Sequence, residues 1–177
     1  NEAAVKYLED WIDLSLWTDD SKIINGGAFT YFYSKNSNLL ASSINNLENI
    51  PGLEIFSKGN FPAQMHLGEN ARTPDFIVTV DAPAYLMIRR PKRSFDPPAG
   101  AHGYMTASNT DMHGVFYAAG PGIKPGNKPA FENIHVYPFV MSLMGLNITT
   151  PIDGDLAVLA EHLRQSAMRV SRQQEPR

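Results

Sequence analysis

The chain has 177 residues, a net charge of −3 and a hydrophobic content of 43%. This composition excludes a disordered chain, which combines low hydrophobicity with high net charge, and the lack of a strong positive charge disfavours a protein that coats nucleic acid. Cysteine is absent, which excludes disulfide scaffolds, cysteine-ligated metal sites and thiol nucleophiles. No apolar run approaches the roughly 20 residues of a membrane-spanning helix.

Helices and strands are predicted to alternate in the first part of the chain. Apolar residues spaced i, i+3 and i+7 predict a short helix over residues 1–12, and the aromatic run at 28–33 predicts a strand. Asn36 and Ser37 are both good N-caps for a helix with leucine and isoleucine at helical spacing, which ends before Pro51. Residues 53–57 alternate like a half-buried strand.

The middle of the chain contains two continuous apolar runs. The segment DFIVTV at 75–80 predicts a central strand that is buried on both faces, and residues 85–88 could pair with it. Residues 89–101 contain three prolines and several basic residues, which predicts a long loop. The run GVFYAA at 114–119 predicts another buried strand.

Two more helices are predicted towards the C-terminus. Asn133 can cap a helix with Pro138 in its first turns and Gly145 at its end. A last helix begins at Asp153 or Asp155. The alternation of strands and helices favours an α/β domain with a largely parallel or mixed sheet.

Histidines are the main candidates for chemistry, since GxSxG, Walker A and GxGxxG motifs are missing. Glycines flank His102 in the segment Gly100–Tyr104 and would allow a ligand or metal to approach the backbone closely. An ordinary loop histidine remains the alternative, because a catalytic zinc takes three protein ligands. Packing, capping or surface roles are the simpler interpretation of His66, His113, His135 and His162.

Three ordered segments carry a resemblance to a known family. The first is PAQMHLGENARTPD at 62–75, the second contains GAHGY, DMHGVF and AGP within 100–121, and the third begins with FENIHVY and ends with Asp-Gly within 131–154. Together they resemble the C-terminal half of the type I phosphodiesterase/nucleotide pyrophosphatase family, which belongs to the alkaline phosphatase superfamily. The resemblance extends over most of the chain.

The resemblance implies a fold and a chemistry. The expected fold is a fragment of an alkaline-phosphatase-like α/β sheet sandwiched by helices, with a small α+β excursion before the His-Gly-Tyr loop. This domain portion would span 1–168, and a polar tail would follow at 169–177. The implied activity is zinc-dependent hydrolysis of phosphodiester or pyrophosphate bonds, with a phosphodiester or nucleotide as substrate. His102 would be a ligand of one of two zinc ions.

Much of the family's machinery is expected to lie outside this chain. The threonine nucleophile and the remaining zinc ligands of the family belong to its N-terminal half and to an Asp-His-Gly motif that this sequence lacks. The isolated chain is therefore expected to be inactive, and to pair with that missing half or to self-associate through exposed strand edges. The resemblance also implies an extracytoplasmic location, and the lack of cysteine favours a bacterial source.

The chain departs from the family pattern after the His-Gly-Tyr triplet. Met105 stands where the family usually has an aspartate, and His113 replaces a small residue. Two alternatives to the phosphodiesterase hypothesis remain open. One is a related phosphomonoesterase or sulfatase-like hydrolase, and the other is a catalytically incompetent fragment that acts as a structural or interaction module.

Overall fold

A computed structural model describes residues 5–18, 20–68, 70–98 and 100–164. The chain divides into two compact units, one ending at His113 and the other beginning at Gly114. No helix in the described ranges is long and apolar enough to cross a membrane. The predicted tail at 169–177 lies outside these ranges. The strands and α-helices are β1 Val5–Tyr7, β2 Ser21–Asn25, β3 Phe29–Ser34, α1 Ser37–Leu47, β4 Glu54–Ser57, β5 Phe76–Thr79, β6 Tyr85–Met87 and α2 Val136–Met144.

A four-stranded sheet of order β2-β3-β5-β4 forms the centre of the first unit. Strand β5 lies between β3 and β4, and all four of its residues are buried, which confirms the predicted central strand. The sheet is antiparallel throughout, so the expectation of a largely parallel or mixed sheet is wrong here. Only three residues connect β2 to β3. Such a short connection allows an antiparallel hairpin, whereas parallel strands need a crossover of a dozen or more residues.

Strands β1 and β6 form a separate parallel pair in which Val5 lies opposite Tyr85. The helix predicted over residues 1–12 is therefore wrong in its described part, which is a strand followed by the 3-10 turn Leu8–Asp10. Residues 85–88 were expected to pair with β5, and this is also wrong. Pairing with β1 instead brings Leu8 and Leu86, both fully buried, into the core of the first unit.

The core of the first unit lies between one face of the sheet and helix α1. The rings of Phe32 and Phe76 stack with their centroids 4.2 Å apart, and Trp17 meets Phe32 edge-on at 5.2 Å. The side chain of Asn36 accepts hydrogen bonds from the backbone N–H groups of the first helical turn, which confirms the predicted N-cap. The cap and the buried Leu47 thus fix α1 against the sheet.

Helix α2 organises the second unit. It follows the 3-10 turn Asn133–His135 and ends at Gly145, whose φ of 67° confirms the predicted C-terminal stop. Phe139 packs with Leu159 and Leu163 in a small core. The last predicted helix is wrong, because that region consists of 3-10 turns over Leu156–Val158 and Ala160–His162. The first turn after the N-cap Asp155 does not continue as a helix. The chain bends at Leu159 before the second turn, and Leu159 and Leu163 are buried.

The segment 114–119 does not form the buried strand that its apolar sequence predicts. It carries no strand assignment, Val115 is 98% exposed and Tyr117 is 87% exposed. No described residue supplies a neighbouring strand to this segment. Without a partner the segment cannot satisfy its backbone groups in a ladder, and this is the physical reason for the failure of the prediction.

Candidate functional site

The loop that carries His102 is fixed by the two residues that follow it. Gly103 has a φ of 91°, and a Cβ atom at this position would lie 2.8 Å from the ring of Phe29, so any other residue would strain the loop. The next residue, Tyr104, is 8% exposed, and its hydroxyl donates a hydrogen bond of 2.9 Å to the carbonyl oxygen of Ala84. Burial raises the pKa of this phenol, and the neighbouring Tyr85 adds to the effect. The phenol therefore stays protonated and keeps its hydrogen bond.

His102 itself is exposed and stands next to this fixed segment. An exposed imidazole on a positioned loop is free to act as a ligand or to contact a substrate. Within the described ranges, however, no group of three or more histidine, aspartate or glutamate residues could hold a metal ion. The residues that the structure describes thus do not form a complete zinc site. The assignment of His102 as a metal ligand stays a prediction.

A hydrogen-bonded cluster around Asp81 holds the turn that follows Tyr104. The Oδ1 atom of Asp81 accepts hydrogen bonds from the hydroxyl of Ser108 at 2.6 Å and from the side-chain amide of Asn109 at 3.0 Å. Asn109 in turn accepts a bond of 3.1 Å from the backbone N–H of Ala82. These bonds, that of Ser108 foremost, lower the pKa of Asp81. Sequence reasoning missed this carboxylate, although its place just after the buried strand was a signal.

The other four histidines occupy different settings. His66 adopts a left-handed conformation with a φ of 47° at the end of the turn Ala63–Met65, and His113 is exposed. The Nδ1 atom of His135 accepts a hydrogen bond of 2.9 Å from the backbone N–H of Asp155. Its side chain makes no capping bond to α2, so the capping role expected at this helix start is wrong. The side chain of His162 is only 16% exposed, so the surface position expected for it is wrong. It lies instead against the backbone of a glycine, Gly126.

Two aspartates near the N-terminus, Asp10 and Asp13, already have hydrogen-bonding partners. Asp10 forms a two-pronged ion pair with Arg90, and this hydrogen bonding is the main reason that the pKa of Asp10 is lowered. Asp13 accepts hydrogen bonds from the hydroxyl and the backbone N–H of Ser15, which lower its pKa in the same way. Asp13 thus stabilises its own turn, whereas Asp10 connects two segments that lie 80 residues apart in the sequence.

A groove of about 290 Å³ begins at the residue after His102. Its floor is the face of the sheet that carries Phe29 and Tyr31, whose rings are 4.8 Å apart and tilted by 34°. The turn at 63–67 and the segment 103–106 form its walls. Two of the three segments that resemble the family thus meet at this groove, and sequence reasoning did not identify it.

Comparison with known proteins relates the chain to one group of enzymes by sequence. It is 33% identical over 118 residues to the ectonucleotide pyrophosphatase/phosphodiesterase family member 7 of the rat, and 31% identical over 110 residues to that of the human. The aligned parts cover 66% and 62% of this chain. The chain spans about a quarter of the length of these relatives, 26% and 23% respectively. No family model matches the chain.

Solved structures show the same relation at the level of the fold. Human ectonucleotide pyrophosphatase/phosphodiesterase 5 superposes with a TM-score of 0.75 and 20% identity, covering 93% of this chain and 43% of that protein. The murine counterpart, in an inactive form in complex with AMP, gives a TM-score of 0.73 and 21% identity over 91% and 41%. This likeness shows an alkaline-phosphatase-like α/β fold, as predicted, and the partial coverage fits the expected C-terminal portion. Sequence and fold together relate this chain to the nucleotide pyrophosphatase/phosphodiesterase family of hydrolases.

Proposed function

We propose that this chain is part of a zinc-dependent hydrolase of phosphodiester or pyrophosphate bonds, and that His102 is one of its zinc ligands. The observation that carries the proposal is the setting of His102, an exposed imidazole on a loop that Gly103 and the buried Tyr104 hold in place. Metal ligands need such positioning by packed neighbours, because small displacements weaken coordination. The names of the relatives support the reaction class.

The proposal places the other zinc ligands and the threonine nucleophile outside this chain. A catalytic zinc takes three protein ligands and keeps one position open for water or substrate, and His102 supplies a single one. The isolated 177-residue chain is therefore proposed to be catalytically inactive. The contribution of this chain is the positioned histidine and the surface around it.

The partner that we propose is the N-terminal half of the same domain. The matched structures contain more than half of their residues outside the part that this chain covers. The exposed apolar side chains of Val115 and Tyr117 support this proposal, since large exposed apolar groups favour association. An extracytoplasmic location and a bacterial source belong to the same proposal and rest on the family resemblance and the lack of cysteine.

The test measures hydrolysis of bis(p-nitrophenyl) phosphate by the natural polypeptide that carries this sequence, before and after removal of zinc with a chelator. Activity should disappear with the metal and return when zinc is added. His102→Ala should lower kcat/KM by at least about a hundredfold. His113→Ala is the matched control, because His113 is also exposed and its side chain has no proposed role.

Three results would each overturn a part of the proposal. Equal activity of the His102→Ala and His113→Ala variants would exclude His102 as a ligand. Hydrolysis of p-nitrophenyl phosphate or sulfate in place of the diester would assign the chain to a monoesterase or a sulfatase-like enzyme. Hydrolysis by the purified 177-residue chain that His102→Ala abolishes would show that the chain is self-sufficient.

A further inference from the structure

We propose that the groove beside His102 is a subsite for an uncharged aromatic or aliphatic ester group of the substrate, and that Met105 sets this preference. The groove is the one defined above, with Phe29 and Tyr31 in its floor and the segments 63–67 and 103–106 in its walls. The inference rests on the proposed function, since it describes the organic group attached to the phosphate on which the hydrolase acts.

The size of the groove suits a single ring with its substituents. Its volume is about 290 Å³, whereas an apolar cavity of about 150 Å³ already binds benzene. The tilted rings of Phe29 and Tyr31 present an aromatic surface of the kind that packs against another ring. A flat or chain-like apolar group therefore fits the floor of the groove.

The lining of the groove carries no charged side chain among the described residues. Its side chains are aromatic, aliphatic, thioether, hydroxyl or amide groups. Met65, Leu67 and Met105 supply the apolar walls, and Gln64 and Thr106 supply neutral polar groups. A charged group that enters such a site loses hydration without gaining a counter-charge, so uncharged groups are favoured.

Met105 is the residue that makes the groove neutral at its end nearest to His102. The family resemblance described in the sequence analysis implies an aspartate at this position. Here a flexible and polarizable thioether takes its place, and such groups adapt well to aromatic ligands. Since Tyr104 is buried and anchored, the backbone beside Met105 is held at the edge of the groove.

The groove is rigidly connected to the proposed ligand His102. Gly103 lies directly against the ring of Phe29, so the loop that carries His102 and the floor of the groove share one contact. The segment 103–106 continues from His102 into the groove wall without interruption. The groove is therefore adjacent to the proposed site of the phosphate.

The test measures binding to the groove in the zinc-free 177-residue chain, with p-nitrobenzyl alcohol as the uncharged probe and benzylamine as the cationic probe. Methyl signals of the methionines in carbon–proton NMR spectra report the site, because Met65 and Met105 line the groove and Met144 is an exposed residue of the second unit. The alcohol should shift the Met65 and Met105 signals saturably and leave Met144 unchanged. Benzylamine should bind more weakly.

Two pairs of variants sharpen this test. Met105→Asp should weaken binding of the alcohol by about tenfold and strengthen binding of benzylamine, whereas Met144→Asp should change neither. Tyr31→Ala should weaken binding of the alcohol, whereas Tyr33→Ala should not, because Tyr33 lies on the same strand and does not line the groove. Retained dispersion of the NMR spectrum shows that each variant folds.

The inference is overturned if the alcohol leaves the Met65 and Met105 signals unchanged, or if Met105→Asp binds both probes as the parent chain does. Zinc and hydrolysis are absent from this experiment, so its failure leaves the proposed function standing. Conversely, a natural polypeptide whose hydrolysis is indifferent to His102→Ala would overturn the proposed function, even if the groove binds the alcohol.

Discussion

Strand β5 and the segment 114–119 are both apolar, but only β5 forms a buried strand. Both are short apolar runs, and both predict a buried strand. In β5 the residues Phe76 and Val78 are fully buried, and β3 and β4 pair with the strand on both sides. In the second segment, Val115 and Tyr117 are exposed and no described strand is adjacent. An apolar run thus predicts only the capacity to form a strand, and the available partners decide whether it does.

The largest expected difference between these regions is in amide hydrogen exchange. In the 177-residue chain, the amides of β5 should exchange roughly a thousandfold or more slowly than those of 114–119, because ladder amides exchange only when the sheet opens. NMR or mass spectrometry of the exchanging protein measures both rates. Comparable protection of the two segments would show that 114–119 has found a strand partner. Protection that increases with protein concentration would identify a second copy of the chain as that partner.

Truncation of one aromatic ring in each region should separate them energetically. Phe76→Ala removes a ring that stacks on Phe32 in the core and should lower the free energy of unfolding by about 3–5 kcal/mol. Tyr117→Ala removes a ring that is 87% exposed and should change it by less than about 0.5 kcal/mol. Urea denaturation measures both values. A large effect of Tyr117→Ala in the isolated chain would contradict the exposed position of this side chain.

An intermediate effect is expected at the glycine beside His102. Gly103→Ala forces a Cβ atom to within 2.8 Å of the ring of Phe29 and strains a φ of 91°. The cost should be about 1–3 kcal/mol. Gly100→Ala is the matched control, because its Cβ would meet no atom within 4 Å. Equal stability of the two variants in urea denaturation would mean that the loop is not held against the ring.

Local signals explain which parts of the fold could be predicted from the sequence. The N-cap Asn36, the stop at Gly145 and the apolar run of β5 act within a few residues, and each prediction from them is confirmed. The pairing of β1 with β6 joins residues 80 positions apart, such as Val5 and Tyr85, and no local pattern specifies such a contact. Local sequence likewise could not predict that segment 114–119 has no neighbouring strand among the described residues, because strand pairing depends on distant parts of the chain.

The candidate site also contains one part that the sequence predicts and another part that it does not. His102 was identified from its flanking glycines and from the family resemblance, and Gly103 explains why that motif is locally needed. The groove was not predictable, because its floor and walls come from segments that are distant in sequence and meet only in the folded unit. The partners of Asp81 were not predictable for the same reason, since Ser108 and Asn109 lie 27 and 28 residues further along the chain.

The smallest expected effect concerns the pH dependence of stability that Asp81 contributes. Its pKa in the folded protein lies below the ordinary value of 3.8, because the ionised carboxylate accepts hydrogen bonds from Ser108 and Asn109. The stabilisation is therefore fully present above the pKa of the unfolded chain and is lost as the pH falls through the lower pKa of the folded state. Since Asp81 is exposed to solvent, this stabilisation should stay below about 1 kcal/mol.

Asp81→Asn should therefore be slightly less stable than the parent chain at neutral pH. The difference should shrink as the pH falls below 3.8 and vanish once the pH is below the lower pKa of the folded state. Ser108→Ala, which removes one of the two donors, should show a smaller pH dependence of the same sign. Urea denaturation at a series of pH values measures these differences. If the difference in the free energy of unfolding between Asp81→Asn and the parent chain grew as the pH falls, the prediction would be wrong. Asp81 would then stabilise the turn in its protonated form.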